Sequence, residues 1–395
     1  MKTVLLLLSL AIQSAASQTF RELTSEEKVN DLTFLIETLK NNYPYFGMYE
    51  RQYGEAWLSK SEFFLKRAHD TGNNKEYLVL IDSIVKSLHN KEVDLAPTYH
   101  WDFFRTKYGE ACLTNPVYTP WVNTLNQSQK EIIYWKDLHD KNETRNVGVK
   151  EDIACQDLLI PELKTGILRI SSFDMDNFRT DAQRINEFLY QASNYDYIII
   201  DIQGNKGGSS FYWMEGIVNR LIYQPTFFKR YFALRNGKQN NSFLSRYQRE
   251  EIAKKYRPSF LSLPLEFQSE ESEIVEEATT FYPCLPIPFK GKILILVDSV
   301  VFSAADEFAY FAKNTSWATV AGETTRGGGI GGDPVLIRLP FSGILIRYSA
   351  LAGLNSNGSL HNEYETIPDI EITGNSSDER LSKLINMIRM KYISI

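Results

Sequence analysis

Residues 195–204, YDYIIIDIQG, hold an apolar run with no polar alternation, which is the pattern of a strand buried on both faces. A strand of that kind needs helices above and below it, and the flanking sequence supplies them. TGILRISSF (165–173) reads as a preceding strand and NFRTDAQRINEFLYQAS (177–193) as the helix between the two. The glycine-bearing turn GNKGGSS and a helix FYWMEGIVNRLIY (211–223) come next. Further along, KILILVDS (292–299) is a third strand, a helix begins at Ser303, and ATVAGETT (318–325) is a fourth strand. Strand and helix alternation of this sort predicts an α/β core around a largely parallel sheet. The long insertion before the third strand contains SEESEIVEEA (269–278), which reads as the solvated face of a helix.

The chain has 395 residues, a length that suggests two or three domains because single cores seldom exceed roughly 250 to 300 residues. Residues 1–17 have the form of a signal peptide. Lys2 precedes the apolar run VLLLLSLAI, and Ala15 and Ser17 supply small residues for cleavage before Gln18. The expected location is therefore secreted or periplasmic, and no later segment is apolar enough to span a membrane. Residues 18–96 are expected to form an N-terminal helical domain. It opens with a Thr24/Glu27 capping box followed by Val29, Leu32, Phe34, Leu35, Ile36 and Leu39 at helical spacing. Residues 97–163 read as a connecting subdomain with a short strand in EIIYWKDL, and residues 164–395 as the α/β domain.

A net charge of -6 and the lack of a clustered Lys/Arg face argue against a nucleic-acid partner. Cys112, Cys155 and Cys284 allow one bridge, Cys112 with Cys155 being the favoured pair, or three unpaired thiols. Asn-x-Ser/Thr sequons start at Asn126, Asn142, Asn240, Asn314, Asn357 and Asn375. The histidines are scattered and no HExxH or paired-cysteine spacing occurs, so neither a metal nor a cofactor is expected.

Chemistry in open α/β sheets gathers in the turns beyond the carboxyl ends of the strands. Two such turns stand out. DIQGNKGG brings Gly204, Gly207 and Gly208, whose backbone NH groups are open to close approach. DSVVFSAA delivers Ser303 to a helix N-terminus, where unpaired NH groups favour developing negative charge. Ser303 there is either an N-cap or a nucleophile, with the Ala304 NH and a glycine NH as oxyanion donors. TTRGGGIGG (324–332) lacks the Gly-Lys-Ser/Thr ending of a phosphate loop.

GILRISSF, IIIDIQGNKGG, ILVDSVVFSAADEFAYFAKN, ATVAGETTRGG and IPDIEI occur in the order and approximate spacing found in the tail-specific and tricorn-like serine proteases. The chain resembles that family over residues 164–372, with a fainter echo in DLTFLIETLKNNYPYF; retinoid-binding proteins of the interphotoreceptor matrix share the domain. The resemblance implies a ClpP/crotonase-like α/β fold, peptide or protein substrates, Ser303 as nucleophile, and Ala304 NH with Gly207 NH as the oxyanion hole. It also implies that the Ile167–Ser171 strand flanks the substrate. Gly328 stands where tail-specific members carry a lysine base, so the resemblance to the tricorn-like members points instead to His89, at the end of SIVKSLHN, as general base. Leu88 replaces the serine those members have before the histidine. Glu363 is favoured over Glu365 as the acid orienting the base, His361 is the rival base, and His69, His100 and His139 have no supporting surroundings. No PDZ domain is evident in residues 97–160. A catalytically inactive binder of apolar ligands or peptides is the alternative within the same resemblance.

Overall fold

The structure, a computed structural model, describes residues 21–95, 101–127, 129–140, 155–244, 262–269 and 272–393. The expected signal peptide lies outside these. The described strands are β1 (Val93–Leu95), β2 (Cys155–Ile160), β3 (Thr165–Ile170), β4 (Tyr197–Asp201), β5 (Thr226–Arg235) and β6 (Ser272–Phe281). They continue as β7 (Lys292–Val297), β8 (Thr319–Gly322), β9 (Val335–Arg338), β10 (Leu345–Tyr348), β11 (Leu351–Leu354) and β12 (Ile370–Glu371). The chain forms two units. One comprises Met1–Lys40, Glu55–Arg145 and Leu336–Tyr348; the other comprises Asn41–Gly54, Asn146–Val335 and Ser349–Ile395.

The first unit is mainly helical. Its Ser25–Asn42 helix starts at the expected capping box, in which the Glu27 NH donates to Thr24 Oγ1 at 3.2 Å and the Thr24 NH donates to Glu27 Oε2 at 2.9 Å. Helices Ser61–Asp70 and Asn74–Lys86 follow. The segment EIIYWKDL is helix, within Gln129–Asp140, and not the expected strand. Its buried residues Ile132 and Trp135 are three apart while Ile133 is exposed, which is a helical stripe. Residues 101–140 therefore fold with the N-terminal helices, across the boundary expected near residue 96. The hairpin from residues 336–348 joins the same unit, where the Asp31 carboxylate accepts the Phe341 and Ser342 NH groups at 2.7 and 2.8 Å.

The second unit is built on a six-stranded sheet of order β12-β8-β7-β4-β3-β2, parallel except for the antiparallel edge strand β2. Every residue of β4 is buried, as its unbroken apolar run demands, and each buried isoleucine contributes about 2 kcal/mol. On one face Ile167, Ile199, Leu294 and Leu296 pack with Leu384 and Ile388 of the C-terminal Ser377–Arg389 helix. The Met175–Gln191 helix lies close on β3. A Cβ at Gly166 would sit 2.8 Å from the Phe188 ring, so only glycine allows that approach.

A second sheet, β11-β5-β6, holds residues 272–278 of the carboxylate run in a strand and not in a solvated helix. The reason is cross-strand neutralisation: Lys229 pairs with Glu276 at 2.9 Å, Arg230 with Glu277 at 2.7 Å, and Asn236 donates to Glu273 at 3.0 Å. All three cysteines are free, with Cys155 buried and Cys284 exposed, so the favoured Cys112–Cys155 bridge is not formed. Asn240 is also unsuited to carry a glycan in the folded chain: it is buried and bonded to Asn42. No helix among the described residues is long and apolar enough to cross a membrane.

Candidate active site

Strands β4 and β7 are parallel neighbours, so the turns leaving their carboxyl ends must meet. Asp298, the first residue after β7, fastens them together. Its Oδ1 accepts the Gly204 NH at 3.0 Å and the Val300 NH at 3.1 Å, while Arg380 Nη2 donates to its Oδ2 at 3.1 Å. Asn205 does the same from the other side. Its carbonyl accepts the Phe302 NH at 3.1 Å and its side-chain Nδ2 donates to the Ile170 carbonyl at 3.1 Å. Sequence reasoning passed over both residues; the signal was a polar side chain with two hydrogen-bonding ends inside each turn.

Ser303 stands immediately before the Ala304–Asn314 helix, yet it is not an N-cap. Its side chain makes no capping bond, and φ 56°, ψ −129° is far from the extended conformation of a cap. A non-glycine residue in this region is strained and persists only where its surroundings fix it. Here the Ser303 NH donates to the Gly327 carbonyl at 3.0 Å, and Gly207 presses against the turn from the opposite side. A Cβ at Gly207 would lie 2.8 Å from Ser303 Cβ, 2.8 Å from the Phe302 carbonyl oxygen and 3.0 Å from the Ala304 nitrogen. Gly207 has φ 95°, so both backbone and space require glycine.

The two NH groups expected to hold the oxyanion differ in their bonding. The Gly207 NH is already committed, donating to Asn205 Oδ1 at 2.8 Å. Among the described residues neither the Ala304 NH nor the Gly208 NH meets an acceptor. The Gly208 peptide is held in place by a bridge to Phe173: the Phe173 NH donates to the Gly207 carbonyl at 3.0 Å, and the Ser209 NH to the Phe173 carbonyl at 2.9 Å.

Of the two candidate acids, Glu363 is engaged elsewhere. Both its oxygens accept from Arg51, at 3.1 and 2.9 Å, and Arg51 also clasps Glu266. Glu365 is the glutamate beside the Gly327 turn that Ser303 bonds, its Cγ only 3.1 Å from where a Cβ on Gly327 would stand. The rival base His361 is fully buried. Its Nε2 meets Asp306 Oδ2 at 2.7 Å and its Nδ1 meets Asn355 Oδ1 at 3.0 Å, which fixes the ring at both nitrogens inside the core. Burial alone would raise the Asp306 carboxyl. The His361 charge and hydrogen bonds from His361 and Thr325 outweigh that and hold it below the ordinary carboxylate range. Glu307, the next residue, is bonded to Ser210 and Arg230; burial raises its carboxyl despite the arginine.

His89 belongs to the helical unit, beyond the Asn74–Lys86 helix, with φ 50°, an exposed ring and its NH donating to the Lys86 carbonyl at 3.0 Å. Exposed His69 pairs with Asp70, and the side chains of His100 and His139 lie outside the described residues. The position of the tail-specific lysine is closed by packing: a Cβ at Gly328 would fall 2.5 Å from the Phe302 ring, and its φ is 76°.

No curated protein matches this chain in sequence. In fold it is similar to a protein of Parabacteroides merdae ATCC 43184 (TM-score 0.58, 14% identity, 93% of this chain and 97% of that one). It is likewise similar to mature CPAF (TM-score 0.58, 12% identity, 94% and 99%) and to a lipoprotein from Streptococcus agalactiae (TM-score 0.50, 10% identity, 95% and 99%). Residues 164–372, more than half of the chain and including both turns described above, match peptidase family S41. The chain belongs to peptidase family S41 and is a serine-type peptidase.

Proposed function

We propose that this chain is an exported peptidase that cleaves peptide bonds through an acyl-enzyme on Ser303. The observation that carries the reading is the serine's backbone: φ 56° and ψ −129° at a helix start, with no capping bond to reward that strain. A cap residue would take the extended conformation and bond the helix; a nucleophile has to present its hydroxyl instead. Neutral His89 accepts the Ser303 proton as Oγ attacks the scissile carbonyl carbon, and returns it to the leaving amine as the C–N bond breaks. Water then releases the acyl group with the same base. Glu365, in place of Glu363, orients the imidazole. The developing oxyanion is held by the Ala304 NH, aided by the positive end of its helix, and by the Gly208 NH in place of Gly207's.

Export rests on the apolar run after Lys2, and the substrate is a peptide or protein segment in extended form laid beside β3. The test is hydrolysis of a peptide library by the chain from Gln18 onward. Ser303→Ala should abolish turnover, and His89→Ala should lower kcat by about 100-fold or more. Turnover that survives Ser303→Ala would refute the assignment. A folded chain that cleaves nothing but takes up an apolar ligand would place it with the non-catalytic binders.

A further inference from the structure

We propose that Asp306 is a positioning residue for the nucleophile, acting by fixing the 325–329 loop to the helix that Ser303 begins. This rests on the reading of Ser303 as nucleophile. Asp306 is three residues past Ser303, on the first turn of the Ala304–Asn314 helix, and fully buried. A carboxylate there ordinarily faces its own helix N-terminus or solvent. This one accepts Thr325 Oγ1 at 2.6 Å, the Gly329 NH at 2.8 Å and His361 Nε2 at 2.7 Å.

Thr325 and Gly329 bracket Gly327, whose carbonyl accepts the Ser303 NH. The result is a closed loop of bonds. Ser303 leans on Gly327, Gly327 is held at both flanks by Asp306, and Asp306 rides on the helix that starts at Ser303. The same hydroxyl of Thr325 also accepts the Thr366 NH at 3.0 Å, while the Glu365 NH donates to the His361 carbonyl. The segment bearing Glu365 is thereby tied to the same carboxylate. A strained serine keeps its conformation only while its surroundings over-determine it, and a displacement of an ångström at a reacting atom costs about 100-fold in rate. The bond from His361 Nε2 helps hold the fully buried carboxylate stationary.

Thr325→Val tests this with the Asp306–His361 pair intact, because it removes one hydroxyl at nearly constant volume. Its kcat should fall at least about tenfold with KM within about twofold, and the rate at which a fluorophosphonate labels Ser303 should fall by the same factor. Thr325→Ser, which keeps the hydroxyl, should restore both to within about threefold. A purely structural contact would change the unfolding midpoint and leave kcat per folded molecule and the labelling rate alone. Wild-type kcat and labelling rate in folded Thr325→Val would overturn the proposal, whatever Asp306→Asn does to folding. Where Asp306→Asn also folds, it should show the same kcat and labelling losses, and wild-type values there would overturn the proposal as well. Wild-type protein that hydrolyses peptides without taking label at Ser303 would overturn the nucleophile reading and this one together; labelled wild type with equally reactive variants overturns this one alone.

Discussion

Replacing Ser303 by alanine and by glycine separates a cap from a strained nucleophile through stability alone. At a true N-cap, Ser→Ala costs about 1 kcal/mol because a helix NH loses its acceptor. Ser303 makes no such bond, so Ser303→Ala should leave stability within about 0.5 kcal/mol of the parent chain. Glycine removes the Cβ that makes φ 56°, ψ −129° unfavourable, a relief of about 1–3 kcal/mol. Against it stands the greater freedom of glycine in the unfolded chain, about 0.5–1 kcal/mol. The net expectation is that Ser303→Gly is more stable than Ser303→Ala by about 1 kcal/mol, although neither turns over substrate. Urea unfolding followed by far-UV circular dichroism measures both differences. A loss of about 1 kcal/mol in Ser303→Ala, or a glycine variant less stable than the alanine one, would refute the argument that the turn is strained for chemistry.

Gly207→Ala should destabilise the chain by about 2 kcal/mol and lower kcat about 100-fold, since its Cβ would lie 2.8 Å from both Ser303 Cβ and the Phe302 carbonyl oxygen; normal kinetics would show that the turns are not so close. Glu365→Gln should reduce kcat by about 100-fold in a peptide assay while Glu363→Gln stays within about threefold, and the reverse ranking would return the orienting role to Glu363. Burial pushes the Cys155 thiol up to about 12, so at pH 8 iodoacetamide should modify exposed Cys284 in the native chain and reach Cys155 only after unfolding. Equal modification of the two in native protein, read by peptide mass mapping, would contradict the buried placement.

The central sheet was legible because β3, β4 and β7 announce themselves through local composition: an apolar run buried on both faces needs no knowledge of its neighbours. SEESEIVEEA was not. Glu273, Glu276 and Glu277 belong to a strand only because Asn236, Lys229 and Arg230, more than 35 residues earlier in the chain, bond them. EIIYWKDL carried a readable helical signal in the spacing of Ile132 and Trp135, which its β-branched and aromatic content masked. At the site, the glycines and Ser303 could be found from residue type and the strand ends they follow. Which glycine NH is open depends on the rotamer of Asn205, and which glutamate faces the turn depends on Arg51 capturing Glu363 from more than 300 residues away. Pairings of that range leave no local trace.

The central claim is that Ser303 is the reacting atom's residue, and a fluorophosphonate adduct tests it without needing to know the substrate. The folded chain, treated with the probe and digested, should carry one added phosphonyl group on the peptide containing Ser303, and Ser303→Ala should carry none. An adduct on a different serine, or a chain that hydrolyses peptides yet takes up no probe at Ser303, would contradict the account.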